Sequence, residues 1–563
     1  MATVYAAPAE TRGATRIETG AQTGARTGAG AATESESGAA TRAAAGPPRA
    51  RTTAGEVRGA AGAGVLAFRG VPYAAPPVGP LRFASPRPPA PWTGVRDATA
   101  YGPPFCQPTG AGSEDALHAN VWTPATTGSR PVLCYVHGGA WIAGSGNLPT
   151  FDGSWLAART DAVVVTFNYR LGVFGFGLHE DLTDPETGSF SNWGLQDQAA
   201  AVQWVHDNAA AFGGDPGNIT LVGTSAGGTS AHQLALLPAT RRLIRRLVAI
   251  SAAHQWEPAL AFTAEDARGV HAALAARFAT TVPGLREVPA SELGAAWAEL
   301  TAPRSKGRIV ASGRAFRGPV RDGEWLPAFE HERPAPDLPV LSVHTRTEGA
   351  FFTGPSAPTP LAPPAPADEA ELTSLVQDFL RYGLPGAAAS LAERCVAVYR
   401  EAALAEGRPT RPLDLWTEIW GDAFFRHPVL RTAERHARAG HSPSYVMEFA
   451  HPVRAPYFGT PHEATSKFLF GTHRLPEHVA EFGDGPAERE IAGILADLVG
   501  SFARTGVPAS PGAPAWPRFS PGRPTALILG GHGAHAPAAV IGALGKQRQL
   551  RFWDDLGWGL APA

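Results

Sequence analysis

The 563-residue sequence predicts an α/β protein, a largely parallel sheet covered by helices on both faces. Short apolar strands alternate with helical patterns along most of the chain, and one complete strand–helix–strand unit can be placed residue by residue. The clearest strands are 132–136, 163–168, 219–222 and 340–344, each rich in β-branched or aromatic residues. Between the second and third, Leu195, Ala199, Val202, Val205, Ala209 and Phe212 recur at the three-or-four spacing of one helical face, and Gly213-Gly214-Asp215-Pro216 ends the helix. Residues 256–335 and 362–440 read as mainly helical insertions with Pro-rich joints, placed to wall and roof a pocket.

Residues 1–50 hold almost no large apolar side chain, so burial cannot offset their ordering entropy, and they read as a disordered arm. Residues 51–563 then form one large domain, with clear strand character from Gly55 through Val65, Leu66, Phe68, Val71 and Tyr73. Lysine and arginine (48) nearly balance aspartate and glutamate (50), and a net charge of −2 offers no long-range attraction to nucleic acid or to an anionic membrane surface. Nor does any apolar run approach the length of about 18 residues that a membrane span needs. Cys106, Cys134 and Cys395 are too few and too scattered for a disulfide scaffold or a closed zinc site. With no secretory signal recognisable at the N-terminus, cytoplasmic residence is the expectation.

The chemistry concentrates in two glycine-rich turns. Gly223-Thr224-Ser225-Ala226-Gly227 follows the strand 219–222 and opens an apolar helical stretch, which is the setting a nucleophile elbow requires. Glycines two residues either side let strand and helix close while the serine hydroxyl projects. His137-Gly138-Gly139-Ala140-Trp141 stands at the end of the strand 132–136, where glycines leave backbone N–H groups uncovered. By itself it reads equally as a plain turn; with the elbow downstream it reads as an oxyanion hole, whose donors each stabilise a tetrahedral intermediate by roughly 3–4 kcal/mol.

From about Thr53 to Phe552-Trp553-Asp554 the sequence resembles the type-B carboxylesterase and cholinesterase family. The likeness runs in order through Phe68-Arg69-Gly70-Val71-Pro72-Tyr73, Glu114-Asp115-Ala116-Leu117, Asn120-Val121-Trp122, Asn168-Tyr169-Arg170-Leu171-Gly172 and Asn192-Trp193-Gly194-Leu195-Gln196-Asp197, and then reaches the elbow. It implies the α/β-hydrolase fold and a triad in chain order Ser225, Glu348, His462. Glu348 lies in Thr347-Glu348-Gly349-Ala350-Phe351-Phe352 at a strand end; His462 lies in Gly459-Thr460-Pro461-His462 before Phe468-Leu469-Phe470-Gly471. His451, in Phe449-Ala450-His451-Pro452, is the competing histidine among 18. The resemblance further places the oxyanion donors on Gly139, Ala140 and Ala226, gives Gly138 the part of permitting close approach, and assigns Ser251 a supporting hydrogen bond to the triad.

Departures from the family pattern carry information. Ala116 stands where the family has a cysteine, so the family's first disulfide, to which Cys106 would belong, is expected to be missing. Thr224 replaces the acidic residue that many members carry before the nucleophile, which disfavours cationic esters. The expected reaction is hydrolysis of uncharged aryl or alkyl esters through an acyl-enzyme, with apolar surroundings attributed to Trp141, Phe174, Phe176 and Trp193. Nucleophile, base and oxyanion donors are all supplied by the chain, so no metal or organic cofactor is called for. A small-molecule ester is the expected partner. Two alternatives stay open: a catalytically dead family member serving as a binding or adhesion module, and an amidase or carbamate hydrolase using the same triad.

Overall fold

The structure is a computed structural model that describes residues 46–107, 112–252, 263–301, 318–354, 362–384, 386–531 and 536–559. Fourteen strands form two sheets among them: β1 Arg49–Arg51, β2 Glu56–Arg58, β3 Ala60–Gly62, β4 Val65–Pro72, β5 Val95–Asp97, β6 His118–Thr123, β7 Arg130–Val136, β8 Val163–Phe167, β9 Gly214–Thr224, β10 Ile244–Ile250, β11 Val340–Thr345, β12 Ser444–Phe449, β13 Thr525–Leu529 and β14 Ala539–Ala543. The large sheet has the order β14-β13-β12-β11-β10-β9-β7-β8-β6-β4-β3. Its seven central strands, β13 to β8, run parallel, and antiparallel neighbours close both margins. The four strands read from sequence all lie in the parallel block, because strands buried on both faces are the ones that carry near-continuous apolar runs.

Alternation along β7 shows how both faces are filled. Val132, Cys134 and Val136 enter one core with Ile219, Leu221 and Leu247, while Leu133 and Tyr135 enter the opposite core with Val222, Val248, Leu341 and Met447. The helix Trp193–Asn208 covers the first face through Leu195, Val202 and Val205, continued by a 3-10 turn at Ala209–Phe212 that stops at Gly213. Helix Pro486–Thr505 covers the second through Ile491, Leu495 and Phe502. Each such aliphatic or aromatic side chain taken out of water contributes about 1.5–3 kcal/mol.

The insertion 362–440 is helical as expected, through Glu369–Gly383, Ala389–Ala405, Pro412–Gly421 and His427–Ala439. In 256–335, by contrast, the helices are Ala264–Arg277 and Ala290–Leu300, residues 318–335 are irregular apart from a 3-10 turn at Glu330–Glu332, and 256–262 and 302–317 lie outside the described residues. The insertion 362–440 has a core of its own, with Phe379, Tyr399, Trp416 and Trp420 packed against Phe552 and Trp553 near the C-terminus. At the other end of the chain the folded body begins before the boundary read from sequence. Strand β1 pairs with β2 and buries Ala50, so the domain reaches back beyond residue 51. Residues 1–45 of the expected arm lie outside the described residues.

Candidate active site

Strands β9 to β12 are adjacent and parallel, so the segments that leave their C-terminal ends meet along one edge. Ser225 follows β9, Ser251 follows β10, the loop to Glu348 follows β11, and the segment carrying His462 follows β12. The backbone of Ser225 has φ 58° and ψ −126°, which costs a residue other than glycine roughly 1–3 kcal/mol. Its neighbours impose it: the Ser225 N–H donates to the Ile250 carbonyl at 2.8 Å, and the Thr229 N–H donates to the Ser225 carbonyl at 3.1 Å. A Cβ on Gly223 would overlap the Gly227 carbonyl, and one on Gly227 would overlap the Val136 carbonyl of β7. The two glycines therefore let β9, the helix Ala226–Leu236 and β7 close up, and of the five elbow residues only Ser225 is partly exposed.

The turn after β7 lies against this elbow. A Cβ on Gly138 would stand 3.0 Å from the Ser225 Cβ, so the segment passes directly beside Ser225. Gly139, Ala140 and Trp141 then take φ of 114°, 52° and 58°, three positive values in succession. Ile142 and Ala143 hold the turn by donating to the Gly139 carbonyl, each at 3.0 Å. The N–H groups of Gly139 and Ala140 have no hydrogen-bond partner among the described residues, and Ala226 is the first residue of its helix, where an N–H has no intrahelical acceptor. His137 braces the turn from below: its ring stacks on Tyr169 with centroids 4.3 Å apart, and Nδ1–H donates to the Gly138 carbonyl at 2.8 Å. Burial pushes the His137 imidazole down to about 4, so it is neutral there at pH 7.

On the other side, His462 Nδ1–H donates to Glu348 Oε2 at 2.6 Å, with both side chains 1% exposed. Glu348 Oε1 accepts from the Ser251 hydroxyl at 2.7 Å and from the Thr345 N–H at 2.7 Å. All the predicted members except one link are thus joined: His462 Nε2 makes no hydrogen bond to a described residue, Ser225 included. Catalytic hydrogen bonds commonly tighten only in the substrate complex. The chain segments are nonetheless tied together beneath that gap, where Thr224 Oγ1 and Ser466 Oγ are 2.7 Å apart and the Tyr135 hydroxyl reaches the same Ser466 at 3.4 Å. His451 is elsewhere, 3.6 Å from Glu488 and packed on Phe468.

One reading from sequence changes. Trp141, Phe176 and Trp193 are buried core side chains, Trp141 donating its indole N–H to Ser230 at 2.9 Å, and Phe174 borders a cavity of about 330 Å³ with Ile142 and Trp297. Among the described residues, the rings of Phe425, Phe352 and Phe351 lie near His462, with centroids 4.1, 5.3 and 6.1 Å from that of its imidazole. Phe351 and Phe352 sit in the Glu348 motif; Phe425 had no signal in the sequence beyond being aromatic. The other family landmarks are scaffolding. Arg170 and Asp197, both buried, form a two-pronged ion pair at 2.7 Å, and Asn168 accepts from Ser145 and Gly146, each at 2.9 Å, holding the chain that follows the turn at 138–141. Cys106, Cys134 and Cys395 are all free thiols, and for Cys106 this accords with Ala116 standing where the family has a cysteine. Among the described residues no three potential metal ligands stand together, and no helix is long and apolar enough to cross a membrane.

A parallel-centred sheet with a serine on a strained strand-to-helix turn, and an acid and a histidine at the ends of the next strands, defines an α/β-hydrolase fold carrying a serine hydrolase site. Residues 46–553 match the Carboxylesterase family, and the chain belongs to it. It is 34% identical to the phenmedipham hydrolase of Pseudarthrobacter oxydans over 86% of this chain and 96% of that one. It is 33% identical to the para-nitrobenzyl esterase of Bacillus subtilis (strain 168), over 85% and 94% of the two chains. Among solved structures the carboxylesterase of Geobacillus stearothermophilus superposes with a TM-score of 0.73 at 31% identity, covering 90% of this chain and 99% of that one. The protein is a carboxylic-ester hydrolase.

Proposed function

We propose that this enzyme hydrolyses uncharged carboxylic esters through an acyl-enzyme on Ser225, with His462 as base and Glu348 as its partner. The buried Glu348–His462 hydrogen bond carries this reading, because a carboxylate on Nδ1 holds the tautomer whose Nε2 can take a proton. His462 removes the proton as Ser225 Oγ attacks the ester carbonyl, and the developing oxyanion turns to the N–H groups of Gly139, Ala140 and Ala226. The imidazolium then protonates the leaving alcohol. Water repeats the attack on the acyl-enzyme and releases the acid.

Preference for uncharged substrates is supported by what surrounds the catalytic pair. Glu348 is the carboxylate in contact with His462, and it is engaged by three donors, while the ring contacts are phenylalanines. Thr224 is 1% exposed and directs its hydroxyl to Ser466. A neutral ester should accordingly be turned over with a higher kcat/KM than its quaternary-ammonium isostere at both low and high salt; preference for the cation under both conditions would overturn the selectivity. For the reaction itself, a fluorophosphonate probe should label Ser225 and not the Ser225→Ala variant. Hydrolysis of a carbamate by the same triad is a second reading, supported by the likeness to phenmedipham hydrolase. Cytoplasmic residence belongs to the same proposal, supported by the three unpaired cysteines and checked by cell fractionation.

A further inference from the structure

Between the helices Pro412–Gly421 and His427–Ala439 the chain makes one turn of π-helix, Asp422–Arg426. Such turns are rare and tend to occur where a helix serves a functional site. Here its two aromatic residues diverge. Phe424 stays with the insertion core, 4.6 Å from the Trp420 ring and 5.3 Å from that of Phe379. Phe425 turns to the sheet edge, where its ring lies 4.1 Å from the His462 imidazole and stacks with Phe352 at 5.5 Å and 11°.

Both ends of this turn are anchored by buried charge. Asp422 receives Lys546 Nζ at 3.0 Å and the Tyr399 hydroxyl at 3.0 Å; Arg426 lies 3.3 Å from Glu448 in β12 and donates to the Gly545 carbonyl at 2.9 Å. The preceding helix is seated on the acid loop itself, since a Cβ on Gly349 would overlap the Thr417 carbonyl and one on Gly421 would overlap the Gly349 N–H. Glu348 and Phe425 therefore reach His462 from a single packed unit, the carboxylate at Nδ1 and the phenyl ring tilted at 42° against the imidazole.

Resting on the assignment of His462 as the base, we propose that the π-turn is a positioning device and that Phe425 is a positioning residue for the reaction. Its ring occupies the space into which the imidazole would swing on leaving Glu348, so Nε2 stays aimed at the elbow. Positioning of this kind acts on turnover and not on substrate choice, because it alters the geometry of proton transfer for every ester alike.

The test uses the full chain and the p-nitrophenyl esters of acetate, butyrate and octanoate. Since misplacing a reacting group by an ångström can cost about 100-fold, Phe425→Ala should lower kcat by about 10- to 100-fold for all three esters, with KM changed less than about twofold. The second-order rate of fluorophosphonate labelling should fall by the same factor, and Phe425→Leu, which keeps bulk against the imidazole, should recover most of the loss. Lys546→Met, which frees the distant end of the turn, should show the same acyl-independent fall in smaller degree, and it tests the idea even if Phe425→Ala folds poorly. Unchanged kcat in these variants, or a change confined to one acyl length, would overturn the proposal, the latter making Phe425 a pocket wall. Failure of the underlying reading looks different: hydrolysis would survive in Ser225→Ala.

Discussion

Side chains at the reacting edge have separable duties, and substitutions should separate them. Ser225→Ala and His462→Ala each should reduce p-nitrophenyl ester turnover to below about 1% of the parent rate with the fold retained, because the members act as a unit. Glu348→Gln keeps the shape but offers an amide to Nδ1 and favours the wrong tautomer, with an expected cost of about 10³- to 10⁴-fold in kcat. Ser251→Ala removes one of the two donors on Glu348 Oε1 and leaves the Thr345 N–H, so a milder loss of about tenfold is expected, with little change in KM. Equal losses in the Ser251 and Glu348 variants would show that the serine does more than support the carboxylate. Gly227→Ala is a different kind of lesion: its methyl meets the Val136 carbonyl, and the variant should lose stability and activity together in thermal melts and assays.

At the scale of elements, β1 fixes where the folded body begins. Removing residues 1–45 should leave the thermal midpoint and activity unchanged, whereas removing residues 1–51 also strips β1 and its buried Ala50 and should lower the midpoint by several degrees. Identical melts for the two truncations would show that the small sheet contributes nothing. Elements differed in how legible they were for physical reasons. The parallel strands declared themselves by apolar runs, and the elbow by glycines whose removal of side chains is required by close backbone contacts. Strands β3 and β14 could not be read, as Ala60-Ala61-Gly62 and Ala539-Val540-Ile541-Gly542-Ala543 are short and rich in small residues that carry little strand preference of their own, and each is held by pairing with the neighbouring strand, β4 or β13. The π-turn was equally hidden: the local pattern of residues 412–439 is helical throughout, and the extra residue in one turn is decided by tertiary contacts of Asp422, Phe425 and Arg426.

For the molecule as a whole, buried histidines set the response to acid. Burial holds His137 and His271, each 1% exposed, down to about 4, while an unfolded histidine titrates near 6.5. The unfolded chain therefore binds more protons than the native one between those values. Stability should be complete above about pH 6.5 and fall as the pH drops towards 4, by roughly 1.4 kcal/mol per pH unit for each such histidine. Carboxylates act lower: burial alone would raise Glu448, but Arg426, His344 and Arg346 bring it to about 2, so its contribution is lost only below about pH 4.5. Urea melts between pH 7.5 and 4 check the order; a midpoint constant over that range would mean that the histidines are not kept neutral.

The attachment of Ser225, Ser251, Glu348 and His462 to four neighbouring parallel strands has a consequence for how this site can change. Neighbouring strands are spaced by about 4.8 Å through backbone hydrogen bonds, and a register can slip only in whole residues, a two-residue slip of about 6.6 Å being the smallest that keeps side chains on their own face. Lateral spacing of the reacting groups is thus stepped like the teeth of a gear. Alterations deep in β9 to β12 will either leave the spacing intact or destroy it, and gradual tuning of rate and selectivity is confined to the loops beyond the strand ends.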